Sequence, residues 1–362
     1  MTARTQGSVR IVGAGLLGAS LGHALTALGV DVILADASRS ALSIAVDYGA
    51  GRREAEGDTP SIVVVAVPPD AAADVVAREL AAWPAATVTD VASVKAGILA
   101  ELREAGADLA RYVGSHPMAG RERGGAVAAR ADLFLGRPWV LAAPPEAERD
   151  RRWAIEHLAV DAGAIPIVMP ADEHDAAVAL VSHVPQVVAS ALAGRLGGAS
   201  PEAVGLAGQG LRDTTRIAAS DPALWVQILG ANADAVASIL RGVRDDLDAA
   251  IAALDDPDAP GARRAIAELL ARGNAGVATI PGKHGRSERF ARLTVLIDDR
   301  PGELARLLTE IGELGVNMED LRLEHSPGAP VGLAEIAVVP EAELPLATAL
   351  QSRGWRIAGG AE

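Results

Sequence analysis

The chain has no cysteine and very few aromatic residues. The absence of cysteine from its 362 residues excludes disulfides, zinc-thiolate sites and a thiol nucleophile, and it is compatible with a reducing compartment. Aromatic residues make up 2% of the chain, so the hydrophobic 50% is mostly alanine, valine and leucine. This is enough for more than one hydrophobic core, and a chain of this length is expected to form two or three domains.

The chain also has fewer basic residues than acidic ones. The net charge of -14 argues against nucleic-acid partners and anionic membrane surfaces, because both need a basic face. No uninterrupted apolar run approaches the ~20 residues of a membrane span, and no signal-like segment precedes the first apolar strand. The composition predicts a soluble, cytoplasmic protein without metal, in which an anionic substrate would need locally placed arginines.

The N-terminal segment 9–36, VRIVGAGLLGASLGHALTALGVDVILAD, carries a glycine motif in a specific context. A short apolar strand ends at the G-x-G-x-x-G motif, an apolar helix follows, and a second strand ends in Asp36. This order of strand, glycines, helix, strand and acid predicts an α/β domain of Rossmann type that binds a dinucleotide.

The motif also predicts which residues contact the cofactor. Its glycines allow a tight turn, the approach of a pyrophosphate and close helix packing at the helix N-terminus. Asp36 would accept a hydrogen bond from a ribose hydroxyl and so favours NAD over NADP, although Arg39 could receive a 2′-phosphate. Val67 and Pro68 follow an apolar strand, where they either border the cofactor or simply begin a helix. The predicted cofactor-binding residues are Gly13, Gly15, Leu16, Leu17, Gly18, Asp36, Val67 and Pro68.

Two polar side chains follow successive predicted strands. Ser93 comes after a strand at 87–90, and His116 comes after one at 112–114. In a doubly wound sheet both would point into the crevice beside the nicotinamide. A histidine there could take the proton of a hydroxyl as hydride leaves, and Ser93 could orient it. A histidine before a proline could equally be a turn residue.

Long helical periodicity follows residue 170. Pro185 is expected to kink the first of these helices, where His183 is either a site residue or an ordinary core or surface residue. A single long helix is expected from Pro222 to Leu254. Arg212 and Arg216 share one helical face, as a carboxylate clamp or as an exposed ion pair with Asp213. The helices are rich in small residues and suit packing against a second copy of the chain.

The C-terminal part has a different pattern. The polar, glycine-rich segment 272–289 is interpreted as a linker. Beyond it, about 70 residues follow the order βαββαβ, which predicts a small ferredoxin-like module.

Three segments carry a resemblance to a known family: GSHPMAGRE at 114–122, SHVPQ at 182–186 and GLRDTTRIAASDPALW at 210–225. With them the chain resembles the prephenate dehydrogenase family of tyrosine biosynthesis, in the form that carries a C-terminal ACT domain. The resemblance implies a Rossmann domain over 1–170, a helical substrate and dimerisation domain over 171–280, and a regulatory ACT domain over 288–362.

The resemblance also implies a reaction and its residues. The reaction is NAD-dependent oxidative decarboxylation, in which hydride and carbon dioxide leave a cyclohexadienol ring that becomes aromatic. His116 would deprotonate the hydroxyl, Ser93 would bond both His116 and the substrate, and His183 would complete the pocket. Arg216 would bind a substrate carboxylate. The other implied substrate-site residues are Arg212, Asp213 and Glu122 as ionic residues that gate the pocket, Gln186 where the family often has histidine, and Trp225 from the partner subunit.

Alternatives remain at this stage. The family divides between prephenate, which is favoured here, and arogenate. A different β-hydroxyacid-type dehydrogenase would normally show a catalytic lysine on the helical domain. A non-catalytic, amino-acid-sensing NAD-binding protein would not need Ser93, His116 and His183 together.

The implied ACT domain predicts an effector site. Such modules pair and hold an amino acid near the turn into their first helix, so an aromatic amino acid, tyrosine first, is expected there. A purely structural dimerisation module is the alternative. The predicted effector-binding residues are Pro301, Gly302, Glu303, Leu304 and Asn317.

Overall fold

The structure is a computed structural model that describes residues 2–120, 124–280, 290–325 and 331–358. Its contacts divide the chain into two compact units. One consists of Met1–Gly198 with Thr215–Val243, and the other of Ala199–Thr214 with Arg244–Glu362.

The first unit begins with a five-stranded parallel sheet. Its elements are β1 (Val9–Val12), α1 (Leu16–Thr26), β2 (Val32–Ala35), α2 (Arg39–Asp47), β3 (Arg52–Arg53), β4 (Ile62–Val65), α3 (Pro69–Ala82), β5 (Thr87–Asp90) and α4 (Ala96–Glu104). The strand order β3-β2-β1-β4-β5, with every pair parallel, is that of a Rossmann sheet. The apolar strands are buried in two hydrophobic clusters. The predicted N-terminal α/β fold is confirmed.

A second, three-stranded sheet continues this unit. It contains β6 (Gly114–Pro117), β7 (Pro138–Ala142) and β8 (Ile165–Val168), with α5 (Arg149–Asp161) before the last strand. Strand β7 pairs antiparallel with β6 and parallel with β8. The strand expected at 112–114 was placed too early, because Tyr112 forms only a single bridge to Val88. His116 therefore lies within β6, where it is paired with Val140, and not beyond a strand end.

The next helical stretch has an irregular centre. It comprises α6 (Ala171–Val178), a π-helical turn (Ala179–His183) and α7 (Val184–Gly194). Pro185 cannot donate a backbone hydrogen bond, so the predicted distortion takes the form of this widened turn. By length and composition alone, Ala171–Gly198 could cross a membrane, although no such run was expected. Its buried His174, Asp175 and His183 instead mark a side that packs against protein.

The helix expected from Pro222 to Leu254 is in fact two helices. After the short helices α8 (Pro201–Gly205) and α9 (Gln209–Thr215) come α10 (Pro222–Ala231) and α11 (Ala233–Asp255). The last two meet at 96°, and Asn232 lies at the break with φ -125° and ψ 32°. Asn232 is a poor helix former whose side chain finds partners outside the helix, so the periodicity of the flanking residues concealed the break.

The second unit contains the C-terminal module. Its elements are α12 (Ala262–Val277), β9 (Ala291–Asp298), α13 (Glu303–Glu313), β10 (Asp320–His325), β11 (Val331–Val338), α14 (Pro340–Ser352) and β12 (Arg356–Ala358). The antiparallel sheet has the order β10-β11-β9-β12 and its own hydrophobic core. The predicted βαββαβ order is confirmed. The linker expected at 272–289 is partly helical, since α12 runs to Val277, and residues 281–289 lie outside the described ranges.

Candidate active site

The glycine loop after β1 has the geometry of a dinucleotide site. Gly13 has φ +105°, and a Cβ there would lie 2.3 Å from the carbonyl oxygen of Ala66. A Cβ on Gly18 would lie 1.9 Å from the carbonyl oxygen of Gly13, so neither position accepts a side chain. A Cβ on Gly15 would meet no atom within 4 Å, and this residue begins α1 without a side-chain cap. The loop therefore leaves open the space that a pyrophosphate needs at a helix N-terminus.

The other predicted cofactor residues lie around this loop. Asp36 accepts hydrogen bonds from the backbone amides of Ala14 and Ser38, both at 2.7 Å, so it fixes the loop as well as ending β2. The remaining members of the set are Leu16 and Leu17 at the start of α1, and Val67 and Pro68 between β4 and α3. Because β1 and β4 are parallel neighbours, these residues follow carboxyl ends on one edge of the sheet.

The most informative polar contact joins two histidines. Nδ1 of His116 lies 2.8 Å from Nε2 of His174, and the rings meet edge to face with centroids 5.1 Å apart. Nδ1 of His174 in turn lies 2.7 Å from Oδ1 of Asp175. His174 and Asp175 are buried on α6, and neither was predicted as a site residue. The three side chains form a continuous chain of hydrogen bonds.

Asp175 connects this chain to the nucleotide-binding sheet. Its two carboxylate oxygens accept hydrogen bonds from the backbone amides of Lys95 and Ala96, each at 2.8 Å. These amides follow β5 at the N-terminus of α4, at the carboxyl edge that also carries the glycine loop. The carboxylate thus holds α6 against the edge where a nicotinamide would lie.

A second set of contacts surrounds His183. The π-helical turn places its side chain inward, where it is 1% exposed. Nδ2 of Asn232 donates to the backbone carbonyl of Asp175 at 2.8 Å and lies 3.2 Å from Nδ1 of His183. The ring of Trp225 lies edge to face with that of His183, with centroids 6.0 Å apart. The implied contribution of Trp225 to the pocket of a partner subunit stays a prediction.

Buried charges lie next to the histidines. Lys95 is 1% exposed and forms an ion pair with Asp90, which also accepts a 2.6 Å hydrogen bond from the hydroxyl of Tyr112. Burial lowers the pKa of Lys95, whereas burial and the neighbouring Asp90 raise that of Tyr112 well above its usual value.

Both histidines favour the neutral form. Burial, and then the nearby His174, Lys95 and His183, hold the pKa of His116 well below its ordinary value. Burial also lowers the pKa of His183, and nearby His174 adds to this while Asp175 opposes it. A neutral imidazole at His116 is able to accept a proton at neutral pH.

Ser93 keeps its role of orienting His116 only as a prediction. It is half-buried just after β5, and within the described residues it forms no hydrogen bond with His116, whose Nδ1 is already paired with His174. The sequence contained a signal for the partner of His116: His174 and Asp175 lie nine and eight positions before His183, directly before the apolar run 176–181. The signal for Asn232 was only its poor helix propensity.

The structure gives the predicted substrate-binding residues Arg216 and Gln186 few polar contacts. Arg216 begins a turn (Arg216–Ala219) that packs against α7, and its side chain is exposed, with no hydrogen bond or ion pair to the described residues. Gln186 is buried on α7 and donates to Ser190 at 3.4 Å.

The three residues expected to gate the pocket are described only by their own neighbours. Arg212 is exposed, Asp213 accepts a 2.8 Å hydrogen bond from Gln209, and the described residues show no ion pair between Arg212 and Asp213, which was the alternative to a carboxylate clamp. Glu122 lies outside the described residues. The roles of all these residues stay predictions.

Known proteins identify the family. Residues 21–160 match the model of the prephenate dehydrogenase nucleotide-binding domain, and residues 170–268 match that of the prephenate dehydrogenase dimerization domain. The chain is 37% identical over 355 residues to the protein named probable prephenate dehydrogenase NovF from Streptomyces niveus, covering 95% of this chain and 98% of that one.

Two solved structures are similar over most of their length. The prephenate dehydrogenase of A. aeolicus, in complex with hydroxyphenyl propionate and NAD+, is 26% identical with a TM-score of 0.65, covering 75% of this chain and 98% of that one. The arogenate dehydrogenase of Synechocystis is 26% identical with a TM-score of 0.61, covering 74% and 99%. The predictions of a dehydrogenase with a nucleotide-binding domain, and of NAD as its cofactor, agree with these findings. The chain belongs to the prephenate dehydrogenase family.

Proposed function

We propose that the chain catalyses the NAD+-dependent oxidative decarboxylation of prephenate to 4-hydroxyphenylpyruvate, a step of tyrosine biosynthesis. The observation that carries this proposal is the chain of hydrogen bonds through His116, His174 and Asp175 at the edge of the sheet that bears the glycine loop. It supports a neutral base at His116, beside the sheet edge at which a nicotinamide is proposed to lie.

The residues have separate tasks in this reaction. When bound, NAD+ accepts the hydride from the ring carbon that bears the hydroxyl. His116 accepts the hydroxyl proton as that carbon becomes a carbonyl, and loss of carbon dioxide across the ring then makes it aromatic. His116 returns the proton to the phenolate oxygen, so the reaction releases no net proton. His183 binds a second polar group of the substrate, and Ser93 contacts the substrate itself.

The side chain of the substrate also needs a binding residue. Arg216 is exposed, forms no ion pair with the described residues, and is proposed to bind the carboxylate of the substrate's side chain. The A. aeolicus relative was solved with hydroxyphenyl propionate, a phenol with a carboxylate side chain, which supports a substrate of this shape. Arogenate, with an amino-acid side chain, is the second candidate, because the Synechocystis relative is an arogenate dehydrogenase.

An absorbance assay tests the activity and the choice of substrate. The purified chain is mixed with prephenate or arogenate and with NAD+ or NADP+, and formation of the reduced nicotinamide is followed. The proposal expects the highest kcat/KM with prephenate and NAD+. A preference for arogenate would transfer the proposal to the second candidate, and no reduction with either substrate would reject it.

A homodimer in the cytoplasm is the proposed state of the chain. The match to a dimerization domain supports pairing of two copies. Exposed apolar side chains on the helices of the first unit also support it, among them Leu180 (59% exposed), Val181 (64%) and Val226 (71%). Large apolar side chains left exposed in numbers are typical of an interface.

The C-terminal module is proposed to bind an aromatic amino acid, with tyrosine as the first choice. Gly302 (φ +92°) begins α13 and Gly315 (φ +70°) follows it, so both ends of this helix have backbone that bears no side chain. Asn317 donates to Glu319 at 2.8 Å, and its amide oxygen could still accept from an amino group. Glu303 pairs with Arg306 and Leu304 packs on the module's core. Pro301 completes the turn.

A further inference from the structure

We infer that Asp175 and Asn232 fix His116 and His183 in opposite tautomers, so that one presents an acceptor nitrogen and the other a donor nitrogen to the substrate. His174, Asp175 and Asn232 are then positioning residues. The inference deepens the proposed function and rests on it for the identity of the substrate.

The tautomer of His116 follows from the carboxylate of Asp175. A carboxylate accepts hydrogen bonds, so Nδ1 of His174 must carry the proton that it shares with Oδ1 at 2.7 Å. In neutral His174 the other nitrogen, Nε2, is then an acceptor. The 2.8 Å contact with this nitrogen requires a proton on Nδ1 of His116. Nε2 of His116 is left unprotonated, as a base requires.

The tautomer of His183 follows from a backbone carbonyl. The side-chain atom of Asn232 that faces the carbonyl of Asp175 at 2.8 Å must be the amide nitrogen, because two oxygens would repel each other. An NH2 group has a second proton, which is donated to Nδ1 of His183 at 3.2 Å. His183 therefore accepts at Nδ1 and carries its own proton on Nε2.

Asp175 thus controls both rings, one through its side chain and one through its backbone. Its position is held in turn by the amides of Lys95 and Ala96. While these hydrogen bonds persist, His116 stays the acceptor and His183 stays the donor. Exchanging the two roles would break at least one of the bonds. This is the logic by which a buried carboxylate sets the tautomer of a catalytic histidine in other enzymes.

Nuclear magnetic resonance of the full chain tests the inference without any substrate. Histidine rings are labelled with 15N, and the seven histidines are assigned by single substitution. Spectra taken at about pH 8, above the ordinary histidine pKa, distinguish the two tautomers by their nitrogen shifts. We expect the Nδ1-H form for His116 and His174, and the Nε2-H form for His183. The Nε2-H form predominates in free histidine, so finding it at His116 would overturn the inference.

Two variants extend the test to both rings. His174→Phe removes the acceptor for Nδ1 of His116, so the His116 ring should return to the Nε2-H form. The kcat of this variant should fall about 10²- to 10⁴-fold, as it does when a catalytic histidine is held in the wrong tautomer. The substitution also removes one of the groups that lower the pKa of His116, while Lys95 and His183 stay in place, so the acidic limb of the kcat/KM profile should move to higher pH.

Asn232→Asp replaces a donor with an acceptor and should convert His183 to the Nδ1-H form. Asn274→Asp, the same change at an exposed position of α12, is the matched control and should leave the spectra and kcat unchanged. If His183 keeps its tautomer in Asn232→Asp, the inference is wrong. If the expected tautomers are observed but neither prephenate nor arogenate is oxidised, the proposed function fails while the positioning stands.

Discussion

His116 and His174 come from a strand and a helix that are 58 residues apart in the chain, and their ring nitrogens lie 2.8 Å apart. The contact joins the nucleotide-binding part of the first unit to α6, the helix that leads into the π-helical turn with His183. A base that is held by a second histidine does not need Ser93 as its orienting group. The role proposed for Ser93 is accordingly a contact with the substrate.

The first prediction concerns His116 as the base. His116→Asn should keep NAD+ binding, because the glycine loop is untouched, and should lower kcat by about 10²-fold or more, the usual size of the loss of a general base. Steady-state kinetics and cofactor titration measure both quantities. His157→Asn, at an exposed position of α5, is the matched control and should keep kcat. A kcat that barely changes in His116→Asn would make this histidine structural.

The second prediction is a pH profile. The pKa of His116 is held well below 6.5 by burial and by the facing His174, Lys95 and His183. The base is active when neutral, so kcat/KM should stay constant as pH falls through 6.5 and decline only when the pH reaches the lowered pKa. The pH dependence of kcat/KM reports such groups in the free enzyme. A profile that loses half its value near pH 6.5 would contradict a lowered pKa at His116.

The sequence predicted the fold better than it predicted the site. The order of strand, glycines, helix and acid around Asp36 is local, and local patterns determine a Rossmann unit and a βαββαβ module. The break at Asn232 was missed because the residues on both sides keep helical periodicity, and only the partners of this side chain explain it.

The site depends on contacts that no local pattern contains. His116 and His183 were singled out from their own segments, while His174 and Asp175 gain meaning only when α6 packs beside the residues after β5. Strand β6 is also defined by its pairing with β7, which moved His116 from a predicted loop into a strand. Contacts between distant segments determine both the role of His174 and Asp175 and the bounds of β6, and a single sequence does not show such contacts.

The third prediction concerns Arg216 as a binding residue. Arg216→Ala should raise KM for prephenate strongly and lower kcat less, because an ionic anchor is made in the ground state and the transition state alike. Arg78→Ala is the matched control, since Arg78 is exposed on α3 and has no ion pair with the described residues. Initial rates over a range of substrate concentrations separate the two constants. An unchanged KM in Arg216→Ala would reject this assignment.

The last prediction concerns control by the C-terminal module. Tyrosine, or another aromatic amino acid, should bind the fragment 285–362, whose strands and helices enclose a hydrophobic core of their own. It should also inhibit the full chain, but not a chain that ends near Lys283. Coupling of about 1 to 3 kcal/mol would shift the apparent substrate affinity roughly 5- to 150-fold. Calorimetry on the fragment and inhibition assays on both chains measure these effects.

Tyrosine could also compete directly at the catalytic pocket, and in that case the shortened chain would be inhibited as strongly as the full one. If the fragment binds none of the three aromatic amino acids and the shortened chain remains inhibited, the module has no regulatory role and serves only to pair the subunits.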